Sequence, residues 1–140
     1  MIDDRTDDKA PPPQVWPTLQ ATDARALIRF LVDAFGFEAT AVHGEGDLVE
    51  HAQLSWPEGG GIMLGSDRGD GSPWPLRPGT FGCYVVCAEP EALYRRATAT
   101  GATVIQELND TDYGSREFAV RDPEGNLWSF GTYRGEPRAV

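Results

Sequence analysis

The sequence predicts an α+β fold made of two tandem copies of one unit, each in the order strand–helix–strand–strand–strand. Two glycines that end predicted helices, Gly36 and Gly101, lie 65 residues apart, and Ile28 and Leu93 on the apolar stripes of those helices are separated by the same interval. Three runs with strand character follow each helix. A unit of about 50 residues with one helix cannot cover both faces of its sheet, so the two copies are expected to pair and share a concave, ligand-sized space.

The first copy, module 1, is predicted over residues 14–65. Residues 15–20 form its first strand, in which Val15 and Leu19 belong to the apolar set that faces the helix. Asp23, or Thr22 before it, caps the helix, which ends at Gly36. Three further strands are predicted at residues 37–43, 48–56 and 61–64.

The second copy, module 2, is predicted over residues 80–133. Its helix begins at Pro90, which suits a first helical turn, and ends at Gly101. The turn formed by residues 122–126 joins the last two strands. The predicted strands are residues 81–87, 103–108, 115–121 and 127–133. A Gly- and Pro-rich linker at residues 66–79 joins the modules, and tails are expected at residues 1–13 (disordered) and 134–140.

The composition excludes several classes of function. Twelve Lys plus Arg against 22 Asp plus Glu give a net charge of −10, which argues against binding nucleic acid or an anionic membrane surface. No apolar run approaches the ~20 residues that span a bilayer. Cys83 and Cys87, four residues apart on one predicted strand, are too far apart for a disulfide and suit a reducing compartment. We therefore expect a soluble, cytoplasmic protein.

Several motifs resemble the vicinal oxygen chelate superfamily, which contains glyoxalases, bleomycin resistance proteins and extradiol dioxygenases. In module 1 they are Asp23, Phe30-Leu31 and Phe35-Gly36-Phe37, and in module 2 Gly101-Ala102 and the more specific stretch 113–130, YGSREFAVRDPEGNLWSF. The likeness covers residues 14–133. It implies a pair of βαβββ modules that form a cupped, eight-stranded mixed sheet with the helices outside, commonly assembled as a homodimer.

The resemblance also locates where the enzymes of this superfamily hold a divalent metal, with two His, Glu or Gln side chains from each module. By spacing, those four positions fall on Trp16, Met63, Gly82 and Ser129. Indole, thioether, hydrogen and a neutral hydroxyl cannot replace imidazole and carboxylate as ligands. The chain therefore resembles a metal-free, drug-binding member, with no cofactor and no assigned catalytic residue.

Strand alternation gives the candidate ligand-binding face. Trp16 and Thr18 alternate with the apolar set of the first strand, whereas Trp128 and Phe130 are expected to point at the helices as core residues. Aromatic walls beside glycines would suit a flat or cationic ligand. A second interpretation is that Trp16 and Met63 fill the space that the metal takes in relatives. The candidate ligand-binding residues are Trp16, Thr18, Gln53, Met63, Trp74, Tyr84 and Ser129.

Three functions are compatible with these observations. The first is a protein that binds or sequesters an aromatic or cationic small molecule, as in antibiotic resistance. The second is a metal-dependent lyase, isomerase or dioxygenase whose metal is held elsewhere. The third is a structural or regulatory subunit with an empty cleft. For the second, the candidate ligands are His43, Glu50, His51 and Glu117.

Overall fold

A computed structural model describes residues 12–138 of the 140-residue chain, so most of the predicted N-terminal tail lies outside the described residues. Module 1 contains β1 (Thr18–Ala21), α1 (Ala24–Phe30) continued by a π-helical segment (Leu31–Phe35), β2 (Glu38–Glu45), β3 (Leu48–Ser55) and β4 (Gly61–Ser66). Module 2 contains β5 (Gly82–Val86), α2 (Pro90–Ala99), β6 (Thr103–Asp110), β7 (Arg116–Arg121) and β8 (Leu127–Gly131).

The eight strands lie in two four-stranded mixed sheets, one per module, with the orders β1-β4-β3-β2 and β5-β8-β7-β6. In each sheet the first strand pairs in parallel with the last, and the remaining pairs are antiparallel. The α+β fold of two βαβββ modules predicted from the sequence is therefore confirmed. In the described part of the chain, no helix is long and apolar enough to cross a membrane.

The first helix begins and ends where the sequence predicts. The Asp23 carboxylate accepts a hydrogen bond from the Ala26 N–H at 3.1 Å, which caps the first turn. Gly36 ends the π-helical segment with a left-handed φ of 88°, a conformation that side chains with a Cβ rarely adopt.

The first strand starts later than predicted. It begins at Thr18, and Val15, which we expected to face the helix, is 82% exposed. Pro17 carries no N–H for a ladder, although its carbonyl still accepts from the Met63 N–H at 2.9 Å. The ladder with β4 therefore starts only after the proline, and Leu19 is the residue of this apolar set that is buried.

A cluster of aromatic side chains joins the two modules. The Phe35 ring lies 4.7 Å from that of Phe130 and 5.5 Å from that of Trp128, measured between centroids, and Phe37 and Trp56 continue the cluster. Trp128 and Phe130 are fully buried, as predicted. Because aromatic pairs of this kind add about 0.5–1.5 kcal/mol each beyond area burial, the cluster is a major part of the contact between the modules.

Two charged side chains of module 2 contact the two ends of the first helix. The carboxylate of Glu124 accepts from the N–H groups of Thr22 and Asp23, each at 2.8 Å. At the other end Arg96 donates to the carbonyls of Asp33 (2.8 Å) and Val32 (3.0 Å). A carboxylate at the N-terminus and a guanidinium at the C-terminus both complement the helix dipole, so module 2 fixes the orientation of this helix.

The turn that carries Glu124 is built around the buried side chain of Asp122. Its Oδ1 accepts from the N–H groups of Glu124 (2.9 Å) and Asn126 (3.0 Å). Its Oδ2 accepts from Asn126 Nδ2 and from the indole of Trp128, both at 2.9 Å. Both carboxylate oxygens are therefore needed as acceptors, and the same side chain ties the turn to the aromatic core.

We expect Asp122→Asn to lower the free energy of unfolding by about 2–4 kcal/mol, although the two side chains have almost the same shape. The side-chain NH₂ of the new asparagine would face an N–H donor of Asn126 or Trp128, and two donors cannot form a hydrogen bond. The matched control is Asp112→Asn in an exposed loop, which should change stability by less than about 0.5 kcal/mol. Urea unfolding followed by fluorescence measures both, and equal midpoints for the two variants would contradict this account.

Candidate functional site

Each sheet has one face against the shared core and one face that no helix covers, which we call the open face. Alternation is clear on β1 and β4, where Leu19 and Leu64 are buried while Thr18 and Met63 are half-buried. On module 2, buried Phe130 alternates with half-buried Ser129 on β8. Six of the seven candidate residues, all except Trp16, lie on or beside these open faces.

Three of the candidates form a row across the open face of module 1. Thr18 is the register partner of Met63 on one side, and Gln53 is its partner on the other. In this row, a thioether lies between a hydroxyl and an amide. The first strand thus contributes to the open face as predicted, although it is shorter.

The linker covers part of this face and places Trp74 there. Gln20, a buried polar residue on β1, donates through Nε2 to the carbonyl of Trp74 at 2.7 Å and to the Ser72 hydroxyl at 3.2 Å. A cleft of about 300 Å³ remains between linker and sheet, bordered by Thr18, His51 and Trp74 among others. Trp74 is 46% exposed.

The other two open-face candidates lie on module 2. Tyr84 on β5 and Ser129 on β8 are register partners. The Tyr84 hydroxyl donates to the carbonyl of Tyr133 at 2.6 Å, and partial burial, followed by the charge of Glu117, raises the pKa of Tyr84. Tyr84 is therefore a neutral hydrogen-bonding phenol at neutral pH.

The seven candidates are thus divided between two surfaces within one chain. Trp16 lies near the start of β4, where a Cβ on Gly61 would come within 2.9 Å of its ring, and its indole donates to the carbonyl of Pro13 at 3.3 Å. Thr18, Gln53, Met63 and Trp74 belong to module 1, and Tyr84 and Ser129 to module 2.

A further cleft, of about 380 Å³, lies between the modules, where the sequence predicts a shared concave space, and the candidate residue Tyr84 lines it. It follows β5 and is mostly apolar, with Phe37, Trp56 and Ile62 on the side of module 1. Glu58 and Arg134 supply charges of opposite sign. Trp56 is fixed there because its indole donates to the Val86 carbonyl at 2.9 Å. For Trp56 itself the only sequence signal was its position at the end of a strand, which does not distinguish core from cleft.

The two cysteines are free and do not provide a nucleophile at neutral pH. Burial raises the pKa of Cys83, and burial together with the nearby charges of Glu58 and Glu89 raises the pKa of Cys87 to about 11. Both thiols therefore stay protonated, and a protonated thiol is a poor nucleophile and metal ligand.

The residues at the four positions that spacing assigns to the superfamily's metal do not fit a divalent cation. Met63 has a threonine and a glutamine as strand neighbours, and Ser129 has Tyr84 and Ala119. No carboxylate or imidazole stands at any of the four positions. Proteins hold divalent ions with several carboxylate, carbonyl, imidazole or thiolate donors, which the side chains at these four positions do not supply.

The alternative metal ligands are not brought together either. His43 and His51 are cross-strand neighbours with ring centroids 6.3 Å apart, and Glu50 precedes His51 on β3. Glu117, by contrast, lies on β7 in the other sheet. Across residues 12–138, no group of three or more His, Cys, Asp or Glu side chains is placed to hold a metal ion.

We expect Gln20→Leu to release the linker from module 1, because the variant loses both hydrogen bonds that hold residues 72–74. Trypsin should then cut after Arg68 about fivefold or more faster, since local opening costs less free energy. Gln53→Leu, on the same sheet but without a bond to the linker, is the matched control. Equal cleavage rates in the two variants would show that Gln20 does not anchor the linker.

Comparison with known proteins agrees with this architecture. Residues 14–130 match the family described as the Glyoxalase/Bleomycin resistance protein/Dioxygenase superfamily. The uncharacterized protein Rv0887c of Mycobacterium tuberculosis is 33% identical over 126 residues, which cover 85% of this chain and 74% of the relative. A similar Mycobacterium bovis protein, Mb0911c, is also 33% identical, over 85% of this chain and 82% of its own length.

Solved structures show the same fold. TioX from Micromonospora sp. ML1 superposes with a TM-score of 0.68 at 28% identity, covering 84% of this chain and 98% of TioX. A glyoxalase/bleomycin resistance protein/dioxygenase family enzyme from Burkholderia phytofirmans PsJN gives a TM-score of 0.63 at 18% identity, covering 83% and 94% of the two chains. With two βαβββ modules in place and the family match spanning both of them, this chain belongs to the Glyoxalase/Bleomycin resistance protein/Dioxygenase superfamily.

Proposed function

We propose that this protein binds an aromatic or cationic small molecule without a metal and without altering it chemically. The observation that carries the proposal is the content of the four superfamily metal positions, Trp16, Met63, Gly82 and Ser129, which offer aromatic, thioether and small groups instead of metal ligands. Without a Lewis acid, a lone general base would have to lower the activation barrier of the superfamily's reactions. Binding a ligand without a reaction requires neither a Lewis acid nor a general base.

The surfaces of the open faces favour this ligand class. Trp74 and Tyr84 present partly exposed rings beside open-face sheet positions occupied by glycine, namely Gly65 and Gly82. Rings next to small residues leave room for a flat ligand to stack or for a cation to lie on a ring face. The net charge of −10 would raise the local concentration of a cationic ligand.

We also propose a homodimer, because β1 and β5 are edge strands that direct a row of backbone groups away from their sheets, although the Val86 carbonyl of the β5 row already accepts from Trp56. In β5 the bonds to β8 are made by the odd-numbered residues, as the bonds of Phe81 and Cys87 show, so Gly82 and Tyr84 direct their backbone groups outward. In β1 the bonds of Pro17 and Ala21 to the β4 side leave Thr18 outward in the same way. A second copy that pairs along these edges would extend the sheets and bring the two groups of candidate residues together.

A reducing compartment, such as the cytoplasm, fits the two free thiols. The negative charge of the chain supports a function without nucleic acid or a membrane surface.

Calorimetric titration tests the binding function directly. We expect saturable heat from at least one of a bleomycin-like glycopeptide, a mitomycin-like quinone and an aromatic monocation, unchanged by added EDTA. The ligand should be recovered with its mass unaltered. Absence of heat from all three would contradict sequestration, and stoichiometric Fe, Ni, Zn or Mn in protein purified without chelator would favour a metal-dependent enzyme instead.

Sedimentation velocity tests the dimer. We expect a species of twice the 15.3 kDa chain mass, and Thr18→Pro should shift it toward monomer because proline removes the outward N–H of β1. The control is Thr103→Pro, which alters the first residue of the outer edge strand β6. A wild-type monomer at all concentrations, or equal effects of the two prolines, would contradict pairing through β1.

A further inference from the structure

Three tyrosines and Glu117 come together at the end of the open face of module 2. Tyr84 comes from β5, Tyr113 from the loop before β7, Tyr133 from the segment after β8, and Glu117 from β7. The tyrosines are 41%, 58% and 37% exposed, respectively, so none of them is a core residue. We call this group the tyrosine box.

Direct contacts hold the box together. The Tyr113 hydroxyl donates to Glu117 Oε2 at 2.8 Å, and the ring of Tyr113 meets that of Tyr133 edge-on, with centroids 5.6 Å apart and an interplanar angle of 79°. The Tyr84 hydroxyl reaches the backbone of Tyr133 at 2.6 Å. The Tyr133 hydroxyl donates to a second carboxylate, Glu136 Oε2, at 3.0 Å, so Glu117 lies within the group and Glu136 at its border.

Gly131 forms the floor of the box. A Cβ at this position would lie 2.6 Å from Glu117 Cγ and 2.7 Å from the Tyr84 hydroxyl, closer than atoms can approach. The glutamate side chain and the Tyr84 hydroxyl therefore lie directly over the glycine. The close approach of these two groups requires that no side chain is present there.

The carboxylate in the box lacks a counter-ion. Its neighbour Arg116 is engaged elsewhere, with Glu91 at 2.7 Å and Asp110 at 3.0 Å, and within residues 12–138 Glu117 makes no ion pair. Burial, followed by the negative charge of Glu117, raises the pKa of Tyr84, and the hydrogen bond to Glu117 is the largest cause of the raised pKa of Tyr113. Negative potential and aromatic surface are therefore concentrated at one point.

We propose that the tyrosine box binds the alkylammonium group of an organic cation, with Glu117 as its counter-ion and the rings of Tyr84, Tyr113 and Tyr133 as its walls. Aromatic rings attract a cation through their quadrupoles, and a quaternary or alkylated ammonium loses less hydration than a bare metal ion. One carboxylate is too few oxygen donors for a divalent metal. A neutral ligand would cover the Glu117 charge without compensating it.

This inference rests on the proposed small-molecule function and names the ligand class and the subsite. Of the two ligand classes, aromatic or cationic, it selects the cation. The positive group of that ligand lies on module 2, away from the cleft beside Trp74.

The test compares choline with 3,3-dimethyl-1-butanol, which has the same shape but a carbon in place of the charged nitrogen. We expect choline to bind at least about tenfold more tightly and to shift the ring NMR signals of Tyr84, Tyr113 and Tyr133. Glu117→Gln should weaken choline binding by about tenfold or more, whereas Glu107→Gln, an exposed glutamate on β6, should leave it unchanged. Equal binding of the two probes, or equal effects of the two glutamine variants, would overturn the proposal.

Tyr113 offers a second comparison that does not depend on charge. Tyr113→Phe keeps the ring and should change choline affinity by less than about twofold, whereas Tyr113→Leu removes the ring and should weaken it by about fivefold. Equal effects would show that the ring face is not used. If choline does not bind while a ligand of the earlier titration does, the tyrosine box is wrong but the binding function stands; if no compound binds, both fail.

Discussion

The aromatic contact between the two modules is the constraint on which the rest of the structure depends. Phe35, at the end of the first helix, packs against Trp128 and Phe130 of the last strand, so the covered faces of both sheets meet in one core. This contact removes large apolar surfaces from water and leaves the opposite face of each sheet without helical cover. The surfaces available for a ligand are a direct consequence of that packing.

Electrostatic contacts then fix how the modules meet, because apolar packing alone is not directional. Glu124 binds the N-terminal N–H groups of the first helix, and Arg96 binds carbonyls at its C-terminal end. Gly36 contributes to the second contact, since a Cβ there would come within 3.0 Å of the Arg96 guanidinium. The glycine that ends the helix thus also admits the side chain that satisfies its carbonyls.

The two open faces differ in chemistry, so each suits a different part of a ligand. The face of module 1 combines Thr18, Gln53 and Met63 with a linker held by Gln20, so it offers hydrogen-bonding groups and the partly exposed indole of Trp74. The face of module 2 carries tyrosine rings and an uncompensated carboxylate. If a second chain brings the two faces into one site, as proposed, a ligand with an aromatic body and a cationic group matches the chemistry of both faces.

The sequence by itself determined the modules, because their signals are local. Asp23, Gly36 and Gly101 mark helix ends through the backbone conformation of a few residues, and alternation correctly placed Trp128 and Phe130 in the core. Only the tertiary structure decided the rest. The contact between Glu124 and Thr22 joins residues 102 positions apart, and the tyrosine box collects side chains from four separate segments. Periodicity assigns a residue to a face but carries no information on which distant residue shares that face, so Tyr133 gave no signal before the strands were paired.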